Sequence, residues 1–295
     1  MTQPFTPPGP QPALLLAIDI GNTNTVLGIY RGLDLLDHLR IESRRNSTAD
    51  EYSALVHLLL HQRGFAFSDL EQAVIGSVVP PLTSVFEEVC RRGIGKPPVL
   101  VGPGVKTGMP ILVDNPKEVG ADRIVNAIAA YECYKKGCIV VDFGTATTFD
   151  VVNGKGQYLG GVIVPGIGIS ADALFARAAK LPRVEIVRPP QVIGKSTLQA
   201  IQSGLVFGYV ALVEGLVQRL QVALAEPCAV VATGGLAPLI AGETQCIDSV
   251  SEFLTLDGLR MVYERNRDDA AERAKTGRDH PPERLVLRRG EPDHG

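Results

Sequence analysis

The chain has 295 residues, of which 45% are hydrophobic and 21% charged, and this ordinary usage excludes collagen-like, fibrous and wholly disordered proteins. Its length is enough for one large domain or for two of ordinary size. With 29 Lys and Arg against 32 Asp and Glu the net charge is −3, so no overall basic field favours nucleic acid or an anionic membrane as a partner.

The two ends of the chain differ in composition from the body between them. Residues 1–12 are proline-rich and carry no basic residue, which is unlike a secretory signal and predicts a disordered leader. Residues 264–295 are dense in charge and poor in large apolar side chains, so we expect a frayed helix end followed by a disordered tail.

Membrane and redox signals point to a cytoplasmic protein. The apolar run at residues 13–18 is far shorter than the ~20 residues that cross a membrane, and no other spanning segment is expected. The five cysteines are an odd number without C-x-x-C spacing, which argues against zinc or a redox pair and predicts reduced, mostly buried thiols.

The body alternates apolar runs of strand length with amphipathic stretches of helical length, the pattern typical of α/β layering. The last predicted helix begins at Ser196 with Gln199 three residues on, a capping box that satisfies its first free amides. In chain order the predicted strands are residues 13–18, 25–30, 74–78, 99–101, 138–141, 148–152 and 228–232. The predicted helices are residues 48–62, 119–134 and 196–224.

One strand–turn–strand unit occurs twice. A polar turn beginning at Asp19 separates the first two apolar runs, and the design is repeated around Asp142, 123 residues further on. Both turns have the sequence D-x-G-polar-x-x-T. The repeat predicts two halves of similar architecture, residues 13–135 and 136–263.

Both turns carry groups that suit phosphate. In the first, Gly21 permits a close backbone approach, and small hydroxyl and amide side chains can donate hydrogen bonds to phosphate oxygens. Because a carboxylate would repel phosphate directly, we assign Asp19 to a Mg²⁺ shell that bridges the phosphates. One copy alone could equally be an Asx-type hairpin turn, whereas two facing copies would grip a triphosphate from both sides.

A third glycine-rich turn, residues 231–237, follows the strand predicted at 228–232, as would a turn near a nucleoside. The sequence has neither G-x-x-x-x-G-K-[ST] nor G-x-G-x-x-G after a strand. The P-loop and the Rossmann fingerprint therefore do not account for the phosphate chemistry.

The repeated D-x-G turns followed by T-G-G resemble the actin-like ATPase superfamily of kinases. Four motifs, in this order, are similar to those of the type III pantothenate kinases: D-I-G-N-T at 19–23, N-P-K-E-V-G-A-D-R at 115–123, D-F-G-T-A-T-T at 142–148 and G-G-V-I-V-P-G at 160–166. The resemblance extends over residues 14–259.

The resemblance implies a fold and a reaction. The fold would be two ribonuclease-H-like α/β halves with mixed sheets flanked by helices, closing on a nucleotide between them. The reaction would be ATP-dependent phosphorylation of pantothenate to 4'-phosphopantothenate, the first step of coenzyme A synthesis. Family members use Mg²⁺ and a monovalent cation such as K⁺ or NH₄⁺, and they are homodimers.

The resemblance also implies residue roles. Asp122 would accept the proton of the acceptor hydroxyl, and Asp142 would bind the monovalent cation. Pantothenate would be contacted by Val113, Gly120, Ala121, Asp122, Arg123 and Thr197. ATP would be held by Asp19, Ile20, Gly21, Asn22, Thr23, Asn24, Thr25, Val26 and Thr145.

One position departs from the family pattern. Where the family commonly has a Tyr beside the substrate, two residues before Asn-Pro, this chain has Val113. The change replaces a phenol that could stack and hydrogen-bond by a small β-branched side chain, which removes roughly 1 kcal/mol of hydrogen bonding and leaves a gap, so the affinity for pantothenate is left open while the proton acceptor is not affected.

Each assignment has a structural alternative. Asp122 near a helix start could simply favour the positive end of the helix dipole, Arg123 could be a solvated ion-pair partner, and Thr197 could be only the first residue of a capped helix. Two other functions remain open. The chain could phosphorylate another small hydroxylated acceptor, which the G-A-D-R motif disfavours, or it could be a nucleotide-binding regulatory or accessory protein, which only Val113 favours.

The long helix predicted at 196–224 is our candidate for a dimer interface. Its apolar residues cover more of its surface than one sheet face should need, and Gly204 and Gly208, one turn apart, would let another helix pack closely. The apolar positions are Leu198, Ile201, Leu205, Val206, Val210, Val213 and Leu216.

Overall fold

The computed structural model describes residues 13–102, 104–178 and 181–276. Over these ranges the chain forms two five-stranded mixed sheets with helices packed on their faces. The strands are β1 (Leu14–Ile20), β2 (Asn24–Arg31), β3 (Asp34–Glu42), β4 (Leu70–Ser77), β5 (Val99–Leu100), β6 (Gly137–Phe143), β7 (Ala146–Val152), β8 (Tyr158–Pro165), β9 (Cys228–Thr233) and β10 (Ser249–Val250). The helices are α1 (Ala49–Gln62), α2 (Pro80–Ile94), α3 (Ala121–Tyr134), α4 (Ile167–Arg177), α5 (Thr197–Leu224), α6 (Ala237–Ala241) and α7 (Leu254–Thr276).

The two sheets have the same topology. The first has the order β3-β2-β1-β4-β5, and the second, read in the matching direction, has the order β8-β7-β6-β9-β10. In each sheet three antiparallel strands are followed by two that run parallel to the first strand of the unit. The predicted fold class, two similar α/β halves with mixed sheets, is confirmed.

The two predicted turns are shorter than the sequence indicated. β1 continues to Ile20, past the predicted end at residue 18, because Asp19 and Ile20 keep their ladder pairs with β2. β6 likewise continues to Phe143, with Asp142 opposite Thr148. Each aspartate therefore lies on its strand, one residue before the end, and the rigid sheet fixes its position.

The helix starts follow their caps. Thr48 accepts a hydrogen bond from the backbone of Glu51, whose carboxylate accepts from the backbone of Thr48, so α1 begins with a full capping box. At α5, Ser196 accepts from Gln199 N at 3.2 Å, but the Gln199 side chain accepts from Lys195 N at 3.0 Å. The capping box predicted there is therefore half formed, because the long Gln side chain reaches one residue past the cap.

Apolar side chains form three clusters in layers. One fills the space between the first sheet and α1 and α2, and includes Ile18 and Phe86. Another lies between the two sheets and includes Val125 of α3 and Leu259 of α7. The third, with Val213, lies between the second sheet and α4, α5 and α6. The middle cluster places α3 between the two sheets.

The last described helix, α7, returns to the first sheet, where it packs on β1 and β4 and against α3. A Cβ atom at Gly258 would overlap the backbone of Val125, so only glycine allows α7 and α3 to approach this closely. The helix continues to Thr276, beyond the start predicted for the tail at residue 264. The leader, residues 1–12, and residues 277–295 lie outside the described ranges.

Helix α5 has the length and composition of a membrane-spanning helix, a property that core helices of water-soluble proteins share. The buried residues of this helix pack on the second sheet. The sequence predicted more apolar residues than this packing needs, and for most of the residues named there that prediction is wrong. Of the seven apolar positions named above, Leu198 is exposed and Leu216 half-buried, and the other five are buried: Ile201, Leu205, Val206, Val210 and Val213.

Candidate active site

The two phosphate-type turns lie against each other. Thr23, between β1 and β2, and Thr145, between β6 and β7, have their Oγ1 atoms 2.9 Å apart. Gly21 N donates to Asn24 O at 3.0 Å, and a Cβ on Gly21 would lie 3.0 Å from that same oxygen, so the tight turn favours glycine. Topological equivalence of the halves thus brings residues from both to one place.

Only part of the segment from Asp19 to Val26 is available to a ligand. Asn22 and Thr23 are exposed, whereas Ile20 and Thr25 are fully buried. The Thr25 hydroxyl pairs with Ser43 Oγ at 2.9 Å, so it holds the turn in place. Ile20 and Thr25 are therefore closed to a ligand, whereas Asp19 and Val26 are half-buried, as Gly21 and Asn24 are.

The third glycine-rich turn packs on Asp142. β9 runs parallel to β6 with Thr233 beside Asp142, and the chain then turns at Gly234 with φ +92°. A Cβ on Gly234 would lie 2.7 Å from Phe143 C and O and 2.8 Å from Asp142 Oδ1. This turn therefore sets how closely the backbone approaches the Asp142 carboxylate.

Asp122 enters the site from the first turn of α3. Gly120 is the N-cap, and Asp122 Oδ1 accepts a hydrogen bond from Arg123 N at 2.8 Å. A Cβ on Gly120 would overlap that carboxylate oxygen, which explains the glycine before Ala-Asp-Arg. One turn along the helix, Asn126 Nδ2 donates to Asp142 Oδ2 at 3.2 Å, so α3 reaches the end of β6.

Three carboxyl groups from three elements therefore share one region. Burial, with repulsion from Asp122 and Asp142, raises the pKa of Asp19 to about 8. Burial, with repulsion from Asp122 and then Asp150, raises the pKa of Asp142 to about 7. Burial also raises the pKa of Asp122, against the opposing effect of the Arg123 backbone N–H and guanidinium.

We expect the ligand-free protein to lose stability as pH rises from about 4 to about 7. An unfolded Asp titrates near 3.9, whereas the folded Asp142 keeps its proton up to about 7, so the folded state binds more protons in this window. Each such group lowers the free energy of unfolding by at most about 1.4 kcal/mol per pH unit. In urea unfolding at several pH values, the free energy of unfolding of Asp142→Asn should increase relative to that of wild type as pH rises. A difference that is constant with pH would contradict this.

The carboxyl groups suit a cation that arrives with a phosphate ligand. Within residues 13–102, 104–178 and 181–276, no group of three or more His, Cys, Asp or Glu side chains is arranged to hold a metal ion by itself. Asp19 and Asp142 are half-buried and close enough for the charge of Asp142 to act on Asp19, and a bound cation would offset that repulsion. Mg²⁺ is commonly held by one or two carboxylates together with substrate phosphates, so the donor set fits.

Arg123 points to a carboxylate that sequence reasoning missed. Its Nε donates to Asp150 Oδ1 at 2.7 Å, and Asp150 is fully buried on β7. The signal in the sequence was a charged residue inside the apolar strand predicted at 148–152, because an ionised side chain in such a strand needs a buried partner. Asn126, an amide on the buried face of α3, and Arg45, whose Nη2 donates to Asn22 Oδ1 at 2.9 Å, were also missed.

Val113 and Arg123 lie on either side of two glycines of β8. A Cβ on Gly160 would be 3.6 Å from Val113 Cγ1, and a Cβ on Gly161 would be 3.0 Å from Arg123 Nη2. Val113 and Arg123 thus lie beside neighbouring residues of one strand. Thr197, the exposed first residue of α5, has no hydrogen bond or ion pair to this group among the residues that the structure describes.

Comparisons with known proteins agree on one family. A family model described as type III pantothenate kinase matches residues 15–219. The chain is 56% identical to a type III pantothenate kinase of Moorella thermoacetica and 58% identical to one of Myxococcus xanthus, each over 253 residues. These alignments cover 86% of this chain and 100% and 99% of the two relatives.

Among solved structures, a Campylobacter jejuni protein described as a Baf family transcriptional activator is similar in fold. The TM-score is 0.54 at 18% identity, over 86% of this chain and 99% of that chain. At this identity the likeness concerns the arrangement of sheets and helices alone.

Proposed function

The chain belongs to the type III pantothenate kinases, and from this premise we propose which of its residues bind ATP, the acceptor and the cations and which residue accepts the proton. The enzyme phosphorylates pantothenate with ATP in the first step of coenzyme A synthesis, a phosphoryl transfer that requires a divalent metal. The division of roles depends on one observation: the Thr23 and Thr145 hydroxyls of the two phosphate-type turns are 2.9 Å apart, and the charges of Asp122 and Asp142 both act on Asp19 beside them.

The two turns hold the ATP phosphates from opposite sides. Gly21, Asn22, Thr23 and Asn24 offer backbone amides and polar side chains on one side, and Thr145 offers its hydroxyl on the other. The contact between Thr23 and Thr145 supports this assignment, because it brings both donors to one ligand. Asp19 and Asp142 lie behind the turns, where a direct contact between carboxylate and phosphate is avoided.

Asp122 accepts the proton of the pantothenate hydroxyl. As the hydroxyl oxygen bonds to the γ-phosphorus, the bond from that phosphorus to the bridging oxygen of ATP breaks, ADP leaves and the proton passes to Asp122. The raised pKa of Asp122 makes it a stronger base than an exposed aspartate, which favours the transfer near neutral pH. Arg123, next along the chain, pairs with the pantothenate carboxylate, since guanidinium and carboxylate are complementary.

The metal ions are assigned by the chemistry of their ligands. We assign Mg²⁺ to Asp19 together with the ATP phosphates, where it would neutralise charge that develops during transfer. The monovalent cation, K⁺ or NH₄⁺, is assigned to Asp142, whose half-buried carboxylate has no cationic partner among the described residues.

Activity should rise steeply when K⁺ or NH₄⁺ replaces Na⁺ at constant ionic strength. The physical reason is that a large, weakly hydrated cation can offset the repulsion at Asp142 without the strict geometry of Mg²⁺. Initial rates measured at equal total salt test this, and Asp142→Asn should remove most of the dependence. Equal rates in all three salts would exclude a cation role for Asp142.

A coupled assay of ADP release tests the acceptor. We expect ADP to form with pantothenate and very little to form without an acceptor or with an unrelated small hydroxy acid. Release that is independent of the acceptor would favour the nucleotide-binding accessory alternative, and release with another acceptor would favour a different substrate. The KM for pantothenate in Val113→Tyr, compared with wild type, measures what the missing phenol costs.

We also propose that the enzyme is a homodimer that packs through α5. One face of this helix is a row of small residues with open space around them: Gly204, Gly208, Ala211 and Gly215. The exposed apolar residues Leu198 on α5 and Ile163 on β8 add area that a second copy would bury. The five cysteines are unpaired, but only Cys90 and Cys138 are buried, with Cys228 and Cys246 half-buried and Cys133 exposed, so the expectation of mostly buried thiols is wrong for three of them.

Light scattering on the full chain should give about twice the monomer mass of 31.5 kDa. Gly208→Glu should shift the protein to monomer, because the added charge would be buried in the contact. Leu58→Glu, on the exposed face of α1, is the matched control and should stay dimeric. A monomeric wild type at micromolar concentration would refute the proposal.

A further inference from the structure

Asp150 is a buried carboxylate that the roles above do not use. It lies on β7 and is 0% exposed, and its ion-pair partner among the described residues is Arg123 of α3. The pair therefore connects the helix that carries Asp122 with the second sheet. An ionised side chain in such a place is retained only if its partners satisfy it.

The Asp150 carboxylate is itself held firmly. Tyr158 OH donates to Oδ1 at 2.6 Å, and Thr148 Oγ1 donates to Oδ2 at 3.2 Å. Both hydroxyls belong to β7 and β8, the strands that frame the site, so the carboxylate cannot turn without breaking contacts within the sheet. Asp150 is in this sense a fixed anchor.

The anchor determines which way Arg123 faces. Arg123 Nε donates to Asp150 Oδ1 at 2.7 Å, and Nη2 lies 2.7 Å from the same oxygen. Nη1 makes no hydrogen bond within the described ranges. A Cβ at Gly161 would overlap the backbone oxygen of Phe149 and would lie 3.0 Å from Nη2, so the close approach of the β7 backbone requires glycine here, and the guanidinium lies beside it.

We propose that Asp150 is a positioning residue: it fixes the Arg123 guanidinium so that Nη1 is presented to the carboxylate of pantothenate. The proposal rests on the role assigned to Arg123 above. A free arginine side chain would lose rotamer freedom when it binds the acceptor, and an arginine already held by Asp150 has lost that freedom on folding. The anchor thus favours acceptors that carry a carboxylate over those that do not.

The test compares two acceptors in the full-length enzyme: pantothenate, and pantothenol, in which an alcohol replaces the carboxylate. Asp150→Asn should raise the KM for pantothenate about 10- to 100-fold, the range for hydrogen bonds to charged groups, while the KM for ATP changes less than about twofold. The preference of wild type for pantothenate over pantothenol, expressed as a ratio of kcat/KM, should fall by a similar factor.

Tyr158→Phe is a graded variant, because it removes one of the two hydroxyls that hold the Asp150 carboxylate and leaves the ion pair with Arg123. It should lower the acceptor preference by a smaller factor than Asp150→Asn. If kcat/KM fell by the same factor for pantothenate and for pantothenol in Asp150→Asn and in Tyr158→Phe, the preference would be unchanged. That result would overturn the proposal and leave Asp150 a purely structural residue. If Asp150→Asn does not fold, Asp150→Glu replaces it, because Glu keeps the charge and moves the carboxylate by one methylene. Asp150→Glu should still lower the preference for pantothenate. An unchanged preference in this variant would also overturn the proposal.

Arg123→Ala separates this proposal from the function on which it rests. If Arg123→Ala keeps the preference for pantothenate, Arg123 does not bind the carboxylate and its own assignment is wrong. If Arg123→Ala loses the preference and the Asp150 variants keep it, the role of Arg123 stands and the positioning role of Asp150 is overturned.

Discussion

Replacing Asp122 by Asn should reduce turnover by a factor of about 10² to 10⁴, which corresponds to about 3–5 kcal/mol of activation free energy. The amide keeps the shape of the side chain and can still accept the hydrogen bond that Arg123 N donates to Oδ1. It cannot take up the hydroxyl proton. ATP affinity, measured by titration calorimetry, should change little, because the role proposed for Asp122 is at the acceptor hydroxyl and not at the ATP phosphates.

Asp50→Asn is the control for this variant. Asp50 occupies the same position in the first turn of α1 that Asp122 occupies in α3, but it is exposed and pairs with Arg92 at 2.6 Å. Loss of a favourable interaction with the helix dipole costs about 0.3–1 kcal/mol of stability in either helix. If Asp122→Asn lost less than about tenfold in turnover, or lost it only through unfolding, Asp122 would be a helix-start residue and not the base.

Gly234→Ala should destabilise the protein by about 2–5 kcal/mol, a large part of the stability of a typical domain. The backbone at Gly234 has φ +92°, where an L-residue is strained. The added Cβ would also lie 2.7 Å from the Phe143 carbonyl and 2.8 Å from Asp142 Oδ1. Because the clash involves backbone, relief requires β6 and β9 to move apart.

The adjacent Gly235→Ala variant provides the comparison for Gly234→Ala. A Cβ at Gly235 would meet nothing within 4 Å. The free energy of unfolding of this variant should therefore lie within about 0.5 kcal/mol of the wild-type value. Urea denaturation measures both. Gly234→Ala should in addition weaken the dependence on monovalent cation, since it displaces the Asp142 carboxylate. Equal stability of the two alanine variants would mean that the third turn is not tightly packed on Asp142.

The repeated strand–turn–strand unit is why the fold could be predicted from the sequence. Asp19 and Asp142 lie one residue before the ends of equivalent buried strands, and two copies of one local pattern specify two similar sheets. The motifs around these residues and around Asp122 were long enough to indicate the family. Local signals of this kind are readable because turn and strand preferences act over few residues.

Elements without such a local signal were missed. β8 contains Gly160 and Gly161, which interrupt the strand pattern, and β3 is an edge strand whose exposed polar residues alternate with half-buried ones. The partnership of Arg123 with Asp150 depends on packing between α3 and the second sheet, and sequence spacing carries no information on that distance. The exposed face of α5 could not be assigned before the sheet that covers its other face was known.

The return of α7 to the first sheet has a consequence for synthesis on the ribosome. The strands of that sheet are complete once Leu100 has been added, but the helix that covers β1 and β4 begins only at Leu254, 154 residues later. At 5–20 residues per second the delay is roughly 8–30 s, during which the apolar side chains of Leu15 and Val74 have no cover from α7. The nascent N-terminal half is therefore expected to need a chaperone, and it matures only when the end of the chain emerges.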